Sequence, residues 1–320
     1  MDFSSRNGSS NAPLNSCSKV WVTFLTSAYV RATLRITPGN LSGPSTTRPA
    51  TSKKRTSLPE RLNTHQSYGW LRIVLGVQQR LPSLRETPIA FAHRGARAHA
   101  PENTLRAFSL AIALGATGLE SDAWVTSDGH VVLDHDGIVR NGLRRRSIAN
   151  VPRSEIPAHI PTFEEVVGEV GRERHFSLDI KDPNVVTVLA SAVDRSGFER
   201  DKLWLCSPDM EVLASCGESI RGAHLVHSVR FERIDGTLER HVATLDERGI
   251  RSLNMHHTDW NGGRVTLCHR FGVNAFAWDL QYEDHMHVAL LMGMDAVYSD
   301  HTDMMMRVLT DVMVGPPDSR

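Results

Sequence analysis

Residues 91–137, FAHRGARAHAPENTLRAFSLAIALGATGLESDAWVTSDGHVVLDHDG, decide how the rest of the chain is read. The apolar run Ile89–Ala92 ends on His93-Arg94-Gly95, which reads as a buried strand delivering a titratable pair and a flexible turn at its C-terminal end. Pro101-Glu102-Asn103-Thr104 follows, and then Leu105, Phe108, Ala111, Ile112 and Leu114 at helical spacing before Gly115, the pattern of a capped amphipathic helix. Gly118 to Trp124 reads as a second strand, and because side chains alternate along a strand, Glu120 and Asp122 share one face. Ser127-Asp128-Gly129 is a turn signal, after which the short apolar run Val131–Leu133 delivers Asp134-His135-Asp136-Gly137.

From Thr87 onward, strand and helix signals alternate. The strands are predicted at Ile89 to His93, Gly118 to Trp124, His175 to Ile180, Leu203 to Ser207, Ala223 to Ser228, Ser252 to Met255, Ala275 to Leu280 and Ala296 to Ser299. Helical patterns lie between them, as at Val185 to Arg195, Thr237 to Arg248 and Glu283 to Met292. Eight such repeats over about 230 residues have the rhythm of a (β/α)8 barrel, although the pattern alone leaves a doubly wound sheet open.

The ordered string HRG, PENT, helix, LESD, SDG and HD resembles the glycerophosphodiester phosphodiesterase family, and within it most closely the actinobacterial members. The resemblance implies an α/β TIM barrel with a small insertion after the second strand, at residues 140–160. It also implies hydrolysis of glycerophosphodiesters to an alcohol and sn-glycerol 3-phosphate. It assigns His93 and His135 as catalytic and Glu120 and Asp122 as carboxylates on a divalent metal. Asp179 stands third in the metal set, where the family usually has the Glu of a Glu-x-Lys motif. Arg94 and Lys181 become phosphate contacts, and Trp278 a substrate-lining residue. Two positions depart from the family pattern. Asp179 is one methylene shorter than Glu, and Asp279 follows Trp278 where a neutral residue is common.

The chemistry agrees with these assignments. A phosphodiester is anionic and its leaving alkoxide is poor, so hydrolysis needs charge neutralisation together with groups that take and give a proton. An all-oxygen ligand set points to one Mg²⁺ or Ca²⁺. Two rival readings are a phospholipase D-like activity on lysophospholipids, which calls for an apolar rim, and a non-catalytic barrel that binds phosphorylated ligands, motivated by Asp179 and Asp279. His256, His257, His269, His285, His287 and His301 are taken as surface or supporting residues, with His256 a candidate to touch the glycerol side.

Length and charge divide the chain. Its 320 residues carry no net formal charge, yet residues 1–86 hold 12 Lys or Arg against 3 acids while residues 87–320 hold 24 against 33. Residues 1–86, rich in Ser, Thr, Asn, Pro and Arg, are expected to be a disordered basic extension, residues 87–314 the barrel and residues 315–320 a tail. Such a head has the composition of an organelle transit peptide or of translated upstream codons, and the resemblance beginning near Thr87 favours the second. Val20 to Val30 is too short and too rich in threonine to span a bilayer, and no cleavage pattern marks a secretory signal. No stable membrane insertion is expected, and the scattered basic residues do not make a nucleic-acid arm. Cys17, Cys206, Cys216 and Cys268 form no CxxC pair, in keeping with reduced thiols in a cytoplasmic enzyme acting on a small molecule.

Overall fold

The computed structural model describes residues 79–141 and 144–314, so the disorder expected of residues 1–78 and the tail 315–320 lie outside the described residues. Eight parallel strands follow one another round a closed barrel: β1 (Ile89–Ala92), β2 (Gly118–Val125), β6 (His175–Ile180), β7 (Leu203–Ser207), β8 (His224–Ser228), β9 (Ser252–His256), β10 (Asn274–Trp278) and β11 (Ala296–Ser299). Closure comes from β1, which pairs with β11 through Ile89 to Ala92 and with β2 through Phe91 and Ala92. The helices α1 (Leu105–Ala113), α2 (Phe163–Val170), α3 (Val185–Ser196), α4 (Met210–Ser219), α5 (Leu238–Glu247), α6 (Gly262–Arg270), α7 (Glu283–Leu291) and α8 (Thr302–Val314) alternate with them. Each predicted barrel strand is present within one or two residues of its expected ends.

Two apolar layers hold the barrel. Its interior is filled by Ile89, Phe91, Trp204, Val226, Phe276 and Tyr298, with Phe91 stacked on Tyr298 at 4.7 Å between ring centroids. A larger core lies between sheet and helices, where strand residues such as Leu119, Leu178 and Leu205 meet helix residues such as Phe108, Leu189 and Val242. Buried on both faces, the strands read as continuous apolar runs, as in Ile89–Ala92, rather than as alternations.

The insertion after the second strand is more ordered than its sequence suggests. It forms the antiparallel hairpin β4 (Ile138–Asn141) and β5 (Arg144–Ser147), followed by two 3-10 turns at Ile148–Asn150 and Arg153–Glu155. Together with β3 (Val131–Leu133), antiparallel to β2, this excursion has its own small core of Val132, Val139, Ile148, Val151, Ile156 and Ile160 against Trp124. Its apolar positions are too widely spaced to show a period. Arg146 pairs with Glu155 and donates to the Asn150 carbonyl at 2.9 Å, a bracing role within the insertion.

The start of the ordered barrel also precedes the composition boundary at residue 86. Asp295, fully buried ahead of β11, accepts at Oδ1 from the Ser83 hydroxyl at 2.6 Å and from the backbone N–H of Leu84 at 2.7 Å and Arg85 at 3.2 Å. Its Oδ2 lies 2.7 Å from both His269 Nε2 and the Ala275 N–H. These bonds hold its carboxyl below the usual range against the opposing effect of burial. Residues 79–86 are therefore part of the barrel floor, although their polar and basic composition matches the head.

This contact predicts where the chain can be cut. Removing residues 1–78 leaves a cooperatively folded barrel. Removing residues 1–85 strips three donors from a buried carboxylate, costs about 3 kcal/mol and lowers Tm by roughly 5–10 °C in thermal denaturation. Equal Tm values for the two truncations would show that the Asp295 contact is dispensable.

Candidate active site

The C-terminal ends of the parallel strands form one mouth, and the sequence places its chemistry there. Glu120 and Asp122 leave β2 on the same face and are buried, at 4 % and 2 % exposure. In register beside Asp122 on β6 is the half-buried Asp179. One oxygen from each of Glu120, Asp122 and Asp179 lies within 4.8 Å of the others. Lys181 Nζ bridges Asp122 at 3.0 Å and Asp179 at 3.1 Å. Burial disfavours the Lys181 ammonium, but Asp179 and Asp122 outweigh it and raise its pKa. For Glu120, burial and the neighbouring charges of Asp122 and Asp179 win over His93 and push the carboxyl up to about 8. Asp179 is likewise raised, chiefly by burial, with Lys181 opposing.

This donor set fits a hard divalent cation. It is all oxygen and contains Asp122 Oδ2, a buried atom without a hydrogen bond. Asp179 reaches the cluster despite its shorter side chain, so the departure from Glu does not remove it from the set.

The His-Arg-Gly and Pro-Glu-Asn-Thr motifs form one brace around these carboxylates. Arg94 adopts a left-handed conformation, φ 52°, which aims its backbone N–H at Glu120 Oε2, 2.9 Å away. Its guanidinium is 3.2 Å from both oxygens of Glu102 and 3.4 Å from Asp122 Oδ2. Gly95, φ 79°, is required because a Cβ there would come within 2.7 Å of the Ala107 backbone. Asn103, also left-handed and buried, donates its N–H to the Arg94 carbonyl at 3.0 Å and accepts from the Ser121 hydroxyl at 2.7 Å. Thr104 caps α1 by accepting from the Ala107 N–H at 3.1 Å.

His93 stands at the mouth with Nδ1 2.6 Å from Asp300 Oδ1 and Nε2 3.8 Å from Glu120 Oε2. Burial opposes its charged form, but Glu120 and the Asp300 hydrogen bond prevail and raise its pKa. His135 follows β3, where the Asp134 N–H bonds the Asp122 carbonyl at 3.1 Å. Its ring is 42 % exposed, bonded through Nδ1 to Asp136 at 2.8 Å, and does not line the cavity beside His93.

That cavity, about 360 Å³, is lined by His93, Arg94, Glu120, Asp179, Trp278 and Asp300 among others. Through Asp179, Ser228 and Trp278 it opens into a wider lobe of about 950 Å³ bordered by Lys181, Met210, His227 and Arg230. Trp278 thus faces both lobes, whereas Arg94 is committed to carboxylates. Sequence reasoning misses the roles of Asp300, Gln281 and Asn254. Asp300 and Gln281 lie just beyond strand ends and Asn254 lies within β9, and none belongs to a cluster of like residues.

The sequence profile of the Glycerophosphoryl diester phosphodiesterase family matches residues 93–304. The chain is 25 % identical over 243 residues to a glycerophosphodiester phosphodiesterase of Caldanaerobacter subterraneus subsp. tengcongensis, covering 69 % of this chain and 97 % of that one. It superposes on the crystal structure of a glycerophosphodiester phosphodiesterase from Thermotoga maritima with TM-score 0.60 at 26 % identity, over 69 % of this chain and 98 % of that one. An Oleispira antarctica phosphodiesterase, solved in complex with the product sn-glycerol-3-phosphate, shares the fold with TM-score 0.63 at 21 % identity, over 70 % of this chain and 98 % of that one. With two thirds of its length matched by the family profile and the brace and carboxylate cluster in place, this chain belongs to the glycerophosphoryl diester phosphodiesterase family.

Proposed function

We propose that the protein hydrolyses a water-soluble glycerophosphodiester to an alcohol and sn-glycerol 3-phosphate, with the phosphate seated where the two lobes of the cleft meet. The observation that carries this reading is the convergence of Glu120, Asp122 and Asp179 beside an imidazole fixed by Asp300. Those three carboxylates would hold one Mg²⁺ or Ca²⁺, which supplies charge neutralisation at the phosphate and acidifies the attacking hydroxyl. Arg94 fixes the carboxylates, and Lys181, already beside two of them, turns its remaining donor capacity to the phosphate oxygens. His93 offers Nε2 to the cleft and exchanges a proton with the attacking or leaving oxygen, while Asp300 on Nδ1 sets the tautomer and steadies the imidazolium. His135 serves as the second proton carrier from the solvent side. Trp278 packs against the substrate between the lobes.

A soluble substrate suits the rim. Among the described residues the large exposed apolar side chains are Leu81, Leu84, Tyr282, Val288 and Val314, of which only Tyr282 adjoins a cavity residue, Gln281. No described helix is long and apolar enough to cross a membrane. The buried free thiols Cys206, Cys216 and Cys268 suit action in the cytoplasm.

The direct test follows sn-glycerol 3-phosphate release from several glycerophosphodiesters by ³¹P NMR, with Mg²⁺, Ca²⁺ or EDTA. Cation-dependent release is expected, abolished in Asp122→Asn and reduced roughly 10²–10⁴-fold in His93→Ala. Folded wild-type protein that releases none with either cation rules the reading out. Replacing Asp300 by Asn removes a charge that raises the His93 pKa, so the pH limb of kcat/KM due to His93 should move to lower pH with kcat reduced. An unmoved limb means Asp300 does not act on His93.

The Glu120 shift gives a pH-dependent cation effect. Its folded pKa, about 8, lies above the unfolded value near 4.5, so in the cation-free protein its stabilising contribution is full below pH 4.5 and is lost as pH rises through 8. Asp179 shifts the same way. Cation binding requires the ionised carboxylates and releases protons. The Tm gain from Mg²⁺ or Ca²⁺ should therefore be larger at pH 8 than at pH 6; a gain independent of pH contradicts the assignment of Glu120 as a ligand.

A further inference from the structure

We propose that His256, His257 and Asp279, at the C-terminal ends of β9 and β10, form a second cation site, selective for a borderline transition ion such as Zn²⁺ or Co²⁺, on the rim of the catalytic cleft. One donor atom from each lies within 4.8 Å of the others, with His256 Nε2 3.0 Å from Asp279 Oδ2. That separation is about the edge of a coordination sphere with metal–ligand distances near 2.1 Å.

Each donor is held in place by other contacts. The far nitrogen of His256, Nδ1, accepts from the Thr258 backbone N–H at 3.2 Å and lies 2.7 Å from the Thr258 hydroxyl, two contacts that fix the ring with Nε2 toward Asp279. Its ring also packs edge-on against Trp278 at 4.6 Å. The His257 ring lies 4.5 Å from that of His256 and stacks at 4.7 Å on His285 of α7. Asp279 occupies the left-handed region, φ 64°, an uncommon conformation for a residue other than glycine. Gln281 Nε2 is 3.3 Å from its other oxygen, leaving Oδ2 for the histidines.

The two sites differ in kind. Two nitrogens and one oxygen suit Zn²⁺, Co²⁺ or Ni²⁺, whereas the three carboxylates of the catalytic cluster suit Mg²⁺ or Ca²⁺, so each ion sorts to its own place. Asp279 lines the same cavity as Glu120 and Asp179, and an ion there faces the cleft and offsets a carboxylate that would otherwise repel an anionic substrate. The rival reading, a plain His256–Asp279 hydrogen bond, leaves His257 without a role and predicts no ion.

The test uses the full chain, stripped with EDTA, saturated with Mg²⁺ and titrated with Co²⁺ while the visible d–d spectrum is recorded. One equivalent of Co²⁺ should give the absorption of a nitrogen-ligated site of low coordination number. The band should be lost in His257→Ala and also in Asp279→Asn, an isosteric change that guards against a folding defect, with metal-free Tm values checking both. It should persist in Asp122→Asn, which abolishes turnover, so failure here and failure of the proposed reaction are told apart. A wild-type protein without the band, or a band that survives either rim substitution or disappears in Asp122→Asn, overturns the assignment.

Discussion

Like charge held together out of water is what the mouth of this barrel is built around. At about 4 Å, two carboxylates repel by about 4 kcal/mol at an effective dielectric of 20, before the cost of desolvating them. Glu120, Asp122 and Asp179 occupy adjacent strand ends, where β2 and β6 run in register and leave them no freedom to separate. The chain meets this repulsion with a lysine between Asp122 and Asp179, the Arg94 guanidinium beside Asp122, the Arg94 backbone N–H on Glu120, and a proton retained on Glu120 far above the ordinary carboxyl range. Each of these responses is what a cation displaces or complements on binding. The cluster is therefore costly to stability and is retained for chemistry.

The brace that holds this charge explains motifs that otherwise look arbitrary. Arg94 and Asn103 are both in left-handed conformations, at a cost of order 1–3 kcal/mol each, and each uses the strain to aim backbone groups that a relaxed turn would direct elsewhere. The Asn103 N–H meets the Arg94 carbonyl, and its side chain reaches Ser121 between the two carboxylates of β2. Glu102 returns to both Arg94 and Arg97, and Arg97 continues to Asp300, the residue bound to His93. One chain of contacts thus joins the clustered carboxylates, the first turn after β1 and the imidazole, so a disturbance at any member is felt across the mouth of the barrel.

Much of this is legible in the sequence, for physical reasons. The alternation of side chains along β2 is enough to put Glu120 and Asp122 on one face, and the strand–helix rhythm carries the barrel. What stays hidden depends on contacts distant in the chain. Asp300 gains meaning only when closure of β1 on β11 brings it to His93, 207 residues away in sequence. Ser83 reads as part of a polar head, yet it bonds the buried Asp295 at the floor of the barrel. The insertion at residues 140–160 shows no period because its apolar residues serve a hairpin and two short turns rather than one element. His135 is legible as a motif, but its 42 % exposure and its place outside the cavity beside His93 are features of the tertiary structure alone.

The most direct measurement is a crystal structure of the full chain grown with Mn²⁺, located by its anomalous scattering. A peak coordinated by oxygens of Glu120, Asp122 and Asp179 is expected, at roughly the 2.0–2.6 Å of hard divalent ions, with Lys181 Nζ moved off the pair it now bridges. Absence of that peak at saturating Mn²⁺, with Lys181 still between Asp122 and Asp179, would show that the three carboxylates are not a cation site.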